Sequence, residues 1–165
     1  MRIYILIVVS FLCFASCRSS KHATVVTKKE SSPESPNSNL AVAVIENAKV
    51  YNGVRYKFGG TTRKGMDCSG LIYVSFKKEN IFLPRISRDM AKKGYSVGLS
   101  NVKEGDLLFF KTSKRGNSIN HVGLVTSLKN GSIEFIHATT SQGVVTSSLK
   151  ENYWNSAFVE ARRIL

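Results

Sequence analysis

Asp67-Cys68-Ser69-Gly70 stands between Gly59-Gly60 and the run Leu71-Ile72-Tyr73-Val74-Ser75-Phe76. Cys68, Leu71, Ile72, Ser75 and Phe76 fall at i, i+3, i+4, i+7 and i+8, the stripe of a helix buried on one side. Asp67 is a good N-cap residue. The pattern therefore places one cysteine in the first turn of a helix, where unpaired N–H groups and the helix dipole favour an anion. A thiolate, not a thiol, is the nucleophile, and such a site is expected to lower the thiol pKa. Cys68 is thus expected to be partly exposed and activated.

Outward from this point the chain changes character twice. Before it, Leu40 to Asn52 carries a helical stripe (Leu40, Val44, Ile45, Ala48, Tyr51), and Gly53 to Met66 reads as a Gly-rich loop. After it, Leu83-Pro84 breaks the chain, and Ser87 is placed to cap a short helix ending near Gly94. From Gly105 onward five segments read as strands: Asp106–Phe110, Val122–Leu128, Ser132–His137, Val144–Ser147 and Phe158–Ile164. Helices first and strands after predict an α+β domain with an antiparallel sheet.

The N-terminus is of another kind. Met1-Arg2 precedes an apolar run, Ile3 to Phe14, and then Ala15-Ser16-Cys17. A charged start, a short apolar stretch and small residues before a cut site describe a signal peptide over residues 1–16. The run is too short for a spanning helix of about 20 residues. Residues 17–39 are rich in Ser, Lys and Asn, contain Pro33 and Pro36, and read as a flexible tether. His22 lies there and is given no role. Residues 40–165 form the folded domain, a normal size for one core.

Three cysteines occur, at 13, 17 and 68. The first leaves with the signal, so the folded part holds one. This excludes a disulfide framework and a Cys-based zinc site. No metal and no cofactor are expected. The formal net charge is +13, and without Arg2 and the tether's four basic and two acidic residues the domain carries +10. Such a surface suits a polyanion. In an exported chain that is acidic wall polymer or anionic lipid rather than nucleic acid, although a basic surface also serves solubility alone.

A thiol attack on an acyl carbon needs a base near the sulfur, a group that orients the base, and donors for the oxyanion. His121 opens a strand after the loop 116–120 and is the candidate base. His137, on the next strand, is the candidate orienting group. Each has a plainer reading taken alone, since free cysteines and strand histidines are often simply buried. Parity constrains the pair. Side chains alternate along a strand. A two-residue turn at Asn130-Gly131 in strict register would set His137 opposite Leu124, three residues from His121, and put the rings on opposite faces. A three-residue loop, Lys129-Asn130-Gly131, sets it opposite Gly123 and unites them. The expectation is a type I turn with a G1 bulge and positive φ at Gly131, or else a β-bulge elsewhere between the histidines.

Taken together, Tyr56-Lys57-Phe58-Gly59-Gly60, Asp67-Cys68-Ser69-Gly70-Leu71, Leu83-Pro84-Arg85, Gly105-Asp106-Leu107-Leu108-Phe109-Phe110, Asn120-His121-Val122-Gly123 and Phe135-Ile136-His137-Ala138 resemble the NlpC/P60 family of papain-like cysteine peptidases. The resemblance implies Cys68 as nucleophile, His121 as base, His137 as third polar residue, and Tyr56, Asp67, Ser69 and Arg85 as oxyanion- or substrate-binding residues. Gly59 to Gly65, Tyr153-Trp154 and Glu160-Ala161-Arg162-Arg163 further resemble the lipoprotein murein endopeptidases of Gram-negative bacteria. That implies cleavage of D-alanyl–meso-diaminopimelate crosslinks in peptidoglycan. A γ-D-glutamyl–diaminopimelate peptidase, an acyltransferase or amidase on the same fold, and a non-catalytic wall-binding lipoprotein are the competing readings. Ala15-Ser16-Cys17 resembles a lipobox, which implies acylation of Cys17 and an envelope lipoprotein, in the outer membrane and facing the periplasm. The expected partners are stem peptides and, through the lipid, a membrane. The chain is expected to act as a monomer, and the sequence names no adaptor protein.

Overall fold

A computed structural model describes residues 36–113, 116 and 118–165. The signal peptide, Cys17, His22 and most of the tether lie outside the described residues.

The first helix, α1, runs Pro36–Lys49, so it begins four residues before Leu40, inside the stretch read as tether. Pro is well placed in a first helical turn, where its missing N–H removes nothing. A small hairpin follows, β1 (Thr61–Thr62) against β2 (Gly65–Met66). Next come α2 (Cys68–Lys77) and the single turn α3 (Ser87–Met90). Ile86, not Ser87, occupies the α3 N-cap, and no side chain caps it. The remainder is β3 (Tyr95–Val97), β4 (Leu107–Phe110), β5 (His121–Lys129), β6 (Ser132–Thr139), β7 (Gly143–Ser148), α4 (Asn152–Ala157) and β8 (Phe158–Arg163). The sheet order is β3-β8-β4-β5-β6-β7, antiparallel throughout. The five expected strands are all present. The elements not read from sequence are β1, β2 and β3, each two or three residues long, the 3-10 turn Leu99–Asn101, and α4, which has no apolar stripe.

Alternation along the strands divides the core between the two faces of the sheet. Leu107, Phe109, Val122, Leu124, Ile136 and Ala138 pack with Val44, Leu71, Ile72 and Phe76 of α1 and α2. Leu108, Phe110, Val125 and Phe135 pack on the other face with Trp154 of α4. The polar member of the α2 stripe, Ser75, is buried and donates to the Leu71 carbonyl at 2.8 Å, which satisfies it within the helix.

The β5–β6 hairpin is built differently from the first expectation. Lys129 pairs with Ser132, so the loop is the two residues Asn130 and Gly131, with φ of 52° and 68°. This is the two-residue hairpin turn with both central residues left-handed. The alternative form of the expectation is the one observed. Register shifts between Val125 and Ser127, so Thr126 is the extra residue of a β-bulge. Beyond it Val125 pairs with Phe135 and Leu124 with Ile136. Continued one step, this register sets His137 opposite Gly123, and both histidine side chains share a face.

Gly123 is small for a reason. A Cβ there would sit on the Phe135 ring, which in turn packs against His137 and Trp154. Gly123→Ala is expected to overpack this layer and lower stability by about 1–3 kcal/mol. Thermal unfolding followed by circular dichroism checks it, and an unchanged midpoint would contradict the packing argument.

Candidate active site

The N-terminus of α2 is gripped by one carboxylate. Asp67 caps it, accepting from the Gly70 amide at 2.6 Å through Oδ1 and from the Gly59 amide at 2.7 Å through Oδ2. The Arg85 guanidinium meets both oxygens, Nη1 to Oδ1 at 2.9 Å and Nη2 to Oδ2 at 3.0 Å. Ser69 Oγ donates to Asp67 Oδ1 at 3.2 Å and accepts from Arg85 Nη1 at 2.8 Å. Arg85 Nη2 also reaches the Gly60 carbonyl at 3.2 Å. Gly70 has no room for a side chain, because a Cβ would run into the Gly60 carbonyl and crowd Asp67 and Arg85. Asp67, Ser69 and Arg85 are therefore brought together, and the Asp67 carboxylate is already committed to groups of this chain.

Cys68 begins the helix, as expected, but it is buried, with 8% of its surface exposed. The expectation of a partly exposed, lowered thiol is corrected on both counts. Burial pushes the thiol pKa up, and the Asp67 charge adds to that. The amides of Val122, Ser69 and Cys68 itself pull the other way without prevailing. Desolvation of the charged form outweighs the helix terminus here. The Val122 amide is available for a structural reason. Val125 directs its N–H and C=O to Asp106 and Gly105 on the β4 side. Val122, an odd number of residues away, directs its own to the β6 side, where the ladder with β6 has already ended at Leu124 and Ile136. The sulfur meets the end of the sheet at this opening.

His121 and His137 stand on the face that carries Trp154. His121 Nε2 lies 2.9 Å from His137 Nδ1, and His137 Nε2 lies 3.0 Å from Ser147 Oγ. The rings are perpendicular, with centroids 5.1 Å apart. Trp154 stacks on His121 at 5.2 Å and presents an edge relation to His137 at 4.5 Å. The hydroxyl of Ser147 serves as donor or acceptor, so chemistry selects the tautomer. If His121 donates from Nε2 and His137 donates from Nε2 to Ser147, then Nδ1 of His121 is bare and able to take a proton. Ser147 and Trp154 were not read from sequence as site residues. Parity would have found Ser147 once the β6–β7 register was known, because it pairs with Phe135, two residues from His137. Nothing in the sequence pattern placed α4 over the imidazoles.

Two cavities, of about 490 and about 550 Å³, meet at Tyr56, Cys68 and Asn120. The first contains His121, Ser147, Glu151, Tyr153 and Trp154. The second contains Phe58, Asp67, Ser69, Arg85 and Ile86. Tyr56 is half-buried, and its hydroxyl pKa is raised by burial and then by the nearby Cys68 and Asp67. Among the described residues, no three His, Cys, Asp or Glu side chains are grouped to hold a metal ion.

The histidines also link the site to stability. Burial lowers the His121 pKa to about 4, and burial plus the neighbouring His121 lowers that of His137 to about 3. An unfolded histidine titrates near 6.5. Between these limits the unfolded chain binds more protons than the native one, so stability present above about pH 6.5 is lost as pH falls toward 4. The loss expected from the pair is of the order of a few kcal/mol. Melting temperature measured across pH should show it, and His137→Asn should flatten the slope in this window. An identical acid slope in the variant would count against two neutral buried imidazoles.

Comparison with known proteins places these features in context. The model of the NlpC/P60 family matches residues 53–163. The murein DD-endopeptidase MepS/murein LD-carboxypeptidase of Escherichia coli is 38% identical over 130 residues, covering 78% of this chain and 65% of the relative. The gamma-DL-glutamyl hydrolase of Bacillus subtilis is 38% identical over 161 residues, covering 96% of this chain and 36% of the relative. The chain thus spans less than two thirds of the length of both curated relatives. The crystal structure of an NlpC/P60 family protein from Bacillus cereus superposes with a TM-score of 0.68 at 28% identity, covering 76% of this chain and 40% of that one.

Proposed function

The chain belongs to the NlpC/P60 family, and from that premise we propose that it is a peptidoglycan endopeptidase of the cysteine type, cutting D-alanyl–meso-diaminopimelate crosslinks through a thiolate acyl-enzyme. The observation that carries the reading is that Cys68, set against the Val122 amide, lines one cavity with His121, which is followed by His137 and Ser147 in a hydrogen-bonded chain.

In this reading the resting site is neutral. Burial raises the thiol and lowers both imidazoles. His121 Nδ1 takes the Cys68 proton as the sulfur attacks the carbonyl carbon, so the charge pair forms only when substrate is present. The Val122 amide and the stacked Trp154 favour the thiolate and the imidazolium as they appear. His137 holds His121 in the accepting tautomer, and Ser147 holds His137. The Cys68 amide, with the Tyr56 hydroxyl beside it, serves the oxyanion. His121 then returns its proton to the leaving amine. The amine therefore lies in the cavity of His121 and Trp154, and the acyl part in that of Phe58 and Arg85. Water, deprotonated by His121, releases the acyl group from the sulfur. Asp67, Ser69 and Arg85 act first as the frame of the helix terminus and second as a polar wall for the acyl part.

A second reading, a γ-D-glutamyl–diaminopimelate peptidase, is favoured by the likeness to the gamma-DL-glutamyl hydrolase, which takes in nearly all of this chain. The two share every chemical step and differ in which bond meets Cys68. The non-catalytic alternative is opposed by the presence together of Cys68, His121 and His137. We further propose that Cys17 is acylated and that the domain works from the envelope membrane, facing the periplasm, on a tether, as a monomer and without a cofactor.

Digestion of purified sacculi with product masses tests the reading. The wild type should release monomeric stems from crosslinked dimers, and Cys68→Ala should release none while keeping its circular dichroism spectrum. Cys68→Ser should fall by at least about a thousandfold, because a hydroxyl is a far poorer acid than a thiol. Products cut between glutamate and diaminopimelate would select the second reading. Turnover by Cys68→Ala would remove the mechanism.

A further inference from the structure

Away from the thiol, cations without a carboxylate partner gather on neighbouring parts of the fold. Arg55, Lys57, Arg63, Lys64, Lys77 and Lys78 are all exposed. They come from the strand-like approach to the site, the β1–β2 hairpin and the C-terminal end of α2, and the fold ties them together. The Arg63 guanidinium and the Lys78 ammonium converge on one ring, Tyr51, at 5.6 and 5.4 Å. Lys77 lies over Tyr73 at 5.6 Å. Arg55 Nε donates to the Lys64 carbonyl at 2.9 Å, and the Lys57 side chain lies against Gly65. Among the described residues none of the six has an ion-pair partner. The carboxylates of α1 and of the neighbourhood of α2 are engaged elsewhere: Glu46 with Lys49, Glu79 with Asn47, and Asp67 with Arg85.

Like charges held this close repel one another, and ring faces offset that only in part. A helix C-terminus accounts for Lys77 and Lys78 but not for the four cations that precede α2. The patch is joined to the cleft through the chain. Lys57 is followed by Phe58, which is 88% exposed and rims the cavity that contains Cys68. The segment that carries Arg55 and Lys57 thus leads into the rim of the cleft.

We propose that this patch is a second binding surface for the peptidoglycan polymer, gripping carboxylates of stem peptides that neighbour the one in the cleft. The inference rests on the proposed function for the identity of the polymer. Its link to the rim of the cleft through Lys57-Phe58 favours substrate over an anionic membrane, which would need no such link.

The test uses the full chain with Cys17→Ser, so that no acyl group contributes, and the variant Arg63→Gln/Lys64→Gln/Lys78→Gln. Neutralising three exposed cations together should slow hydrolysis of intact sacculi roughly tenfold and lower the NaCl concentration that releases the protein from them. Turnover of a small soluble crosslinked muropeptide should stay at the wild-type rate, which also reports an intact fold. Wild-type rates on sacculi with wild-type salt release would overturn the inference. So would equal losses on sacculi and soluble muropeptide, because the cations would then act through the cleft. Loss of retention on phosphatidylglycerol vesicles with sacculus retention unchanged would overturn it in favour of a membrane surface. Sacculus retention is read with Cys68→Ala in both backgrounds. A chain that turns over neither substrate thus counts against the proposed function, and retention alone decides the patch.

Discussion

The structure depends on one bidentate ion pair. Asp67 holds two amides with its two oxygens and is itself held by Arg85, so a loop, a helix terminus and a segment 18 residues further on are fixed relative to one another. A carboxylate taken from water at this depth is costly unless all of its acceptor positions are used. Here they are, by two backbone donors, a hydroxyl and a guanidinium. The consequence is geometric. Cys68 has no freedom to move with a fraying first turn, because the residue before it is bonded on every side. Gly70 completes the arrangement by leaving the space that any side chain would fill.

A second pair, Asp106 with Arg163, does the same for the far end of the sheet. Arg163 meets Asp106 with two bonds of 2.8 Å, one to each oxygen, and also reaches the Asn101 carbonyl. It fastens the last strand to the turn that starts β4. The sheet is thereby closed on the side away from the thiol, while the β5–β6 ladder is left open on the side beside it. An end that opens at a defined residue is what gives the sulfur a backbone donor.

Much of this was legible in the sequence. The helix with Cys68 in its first turn followed from one N-cap and a five-residue stripe, since both are local. The five longer strands followed from short runs of apolar and β-branched residues bounded by turn residues. The union of the two histidines followed from parity, but the device did not. Asn130-Gly131 is a strong two-residue turn signal, and the extra residue sits instead at Thr126, whose sequence gives no sign of it. The state of the thiol was misjudged because helix termini are visible in sequence and desolvation is not. Ser147 and Trp154 were invisible as site residues because their positions depend on the pairing of β6 with β7 and on where α4 folds back, which no local pattern encodes.

The Thr126 bulge also divides the hairpin into two independent parts. From Leu124 and Ile136 inward, register is set by the core, and the histidines read their facing from it. From Ser127 and Glu134 outward, register is set by the turn. The single extra residue acts as a phase correction between two clocks that would otherwise disagree. The outer part is therefore mechanically insulated: its length and turn are able to drift in pairs of residues without rotating either imidazole. That makes the tip of this hairpin the place where the molecule is free to acquire new contacts while the chemistry beneath it keeps time.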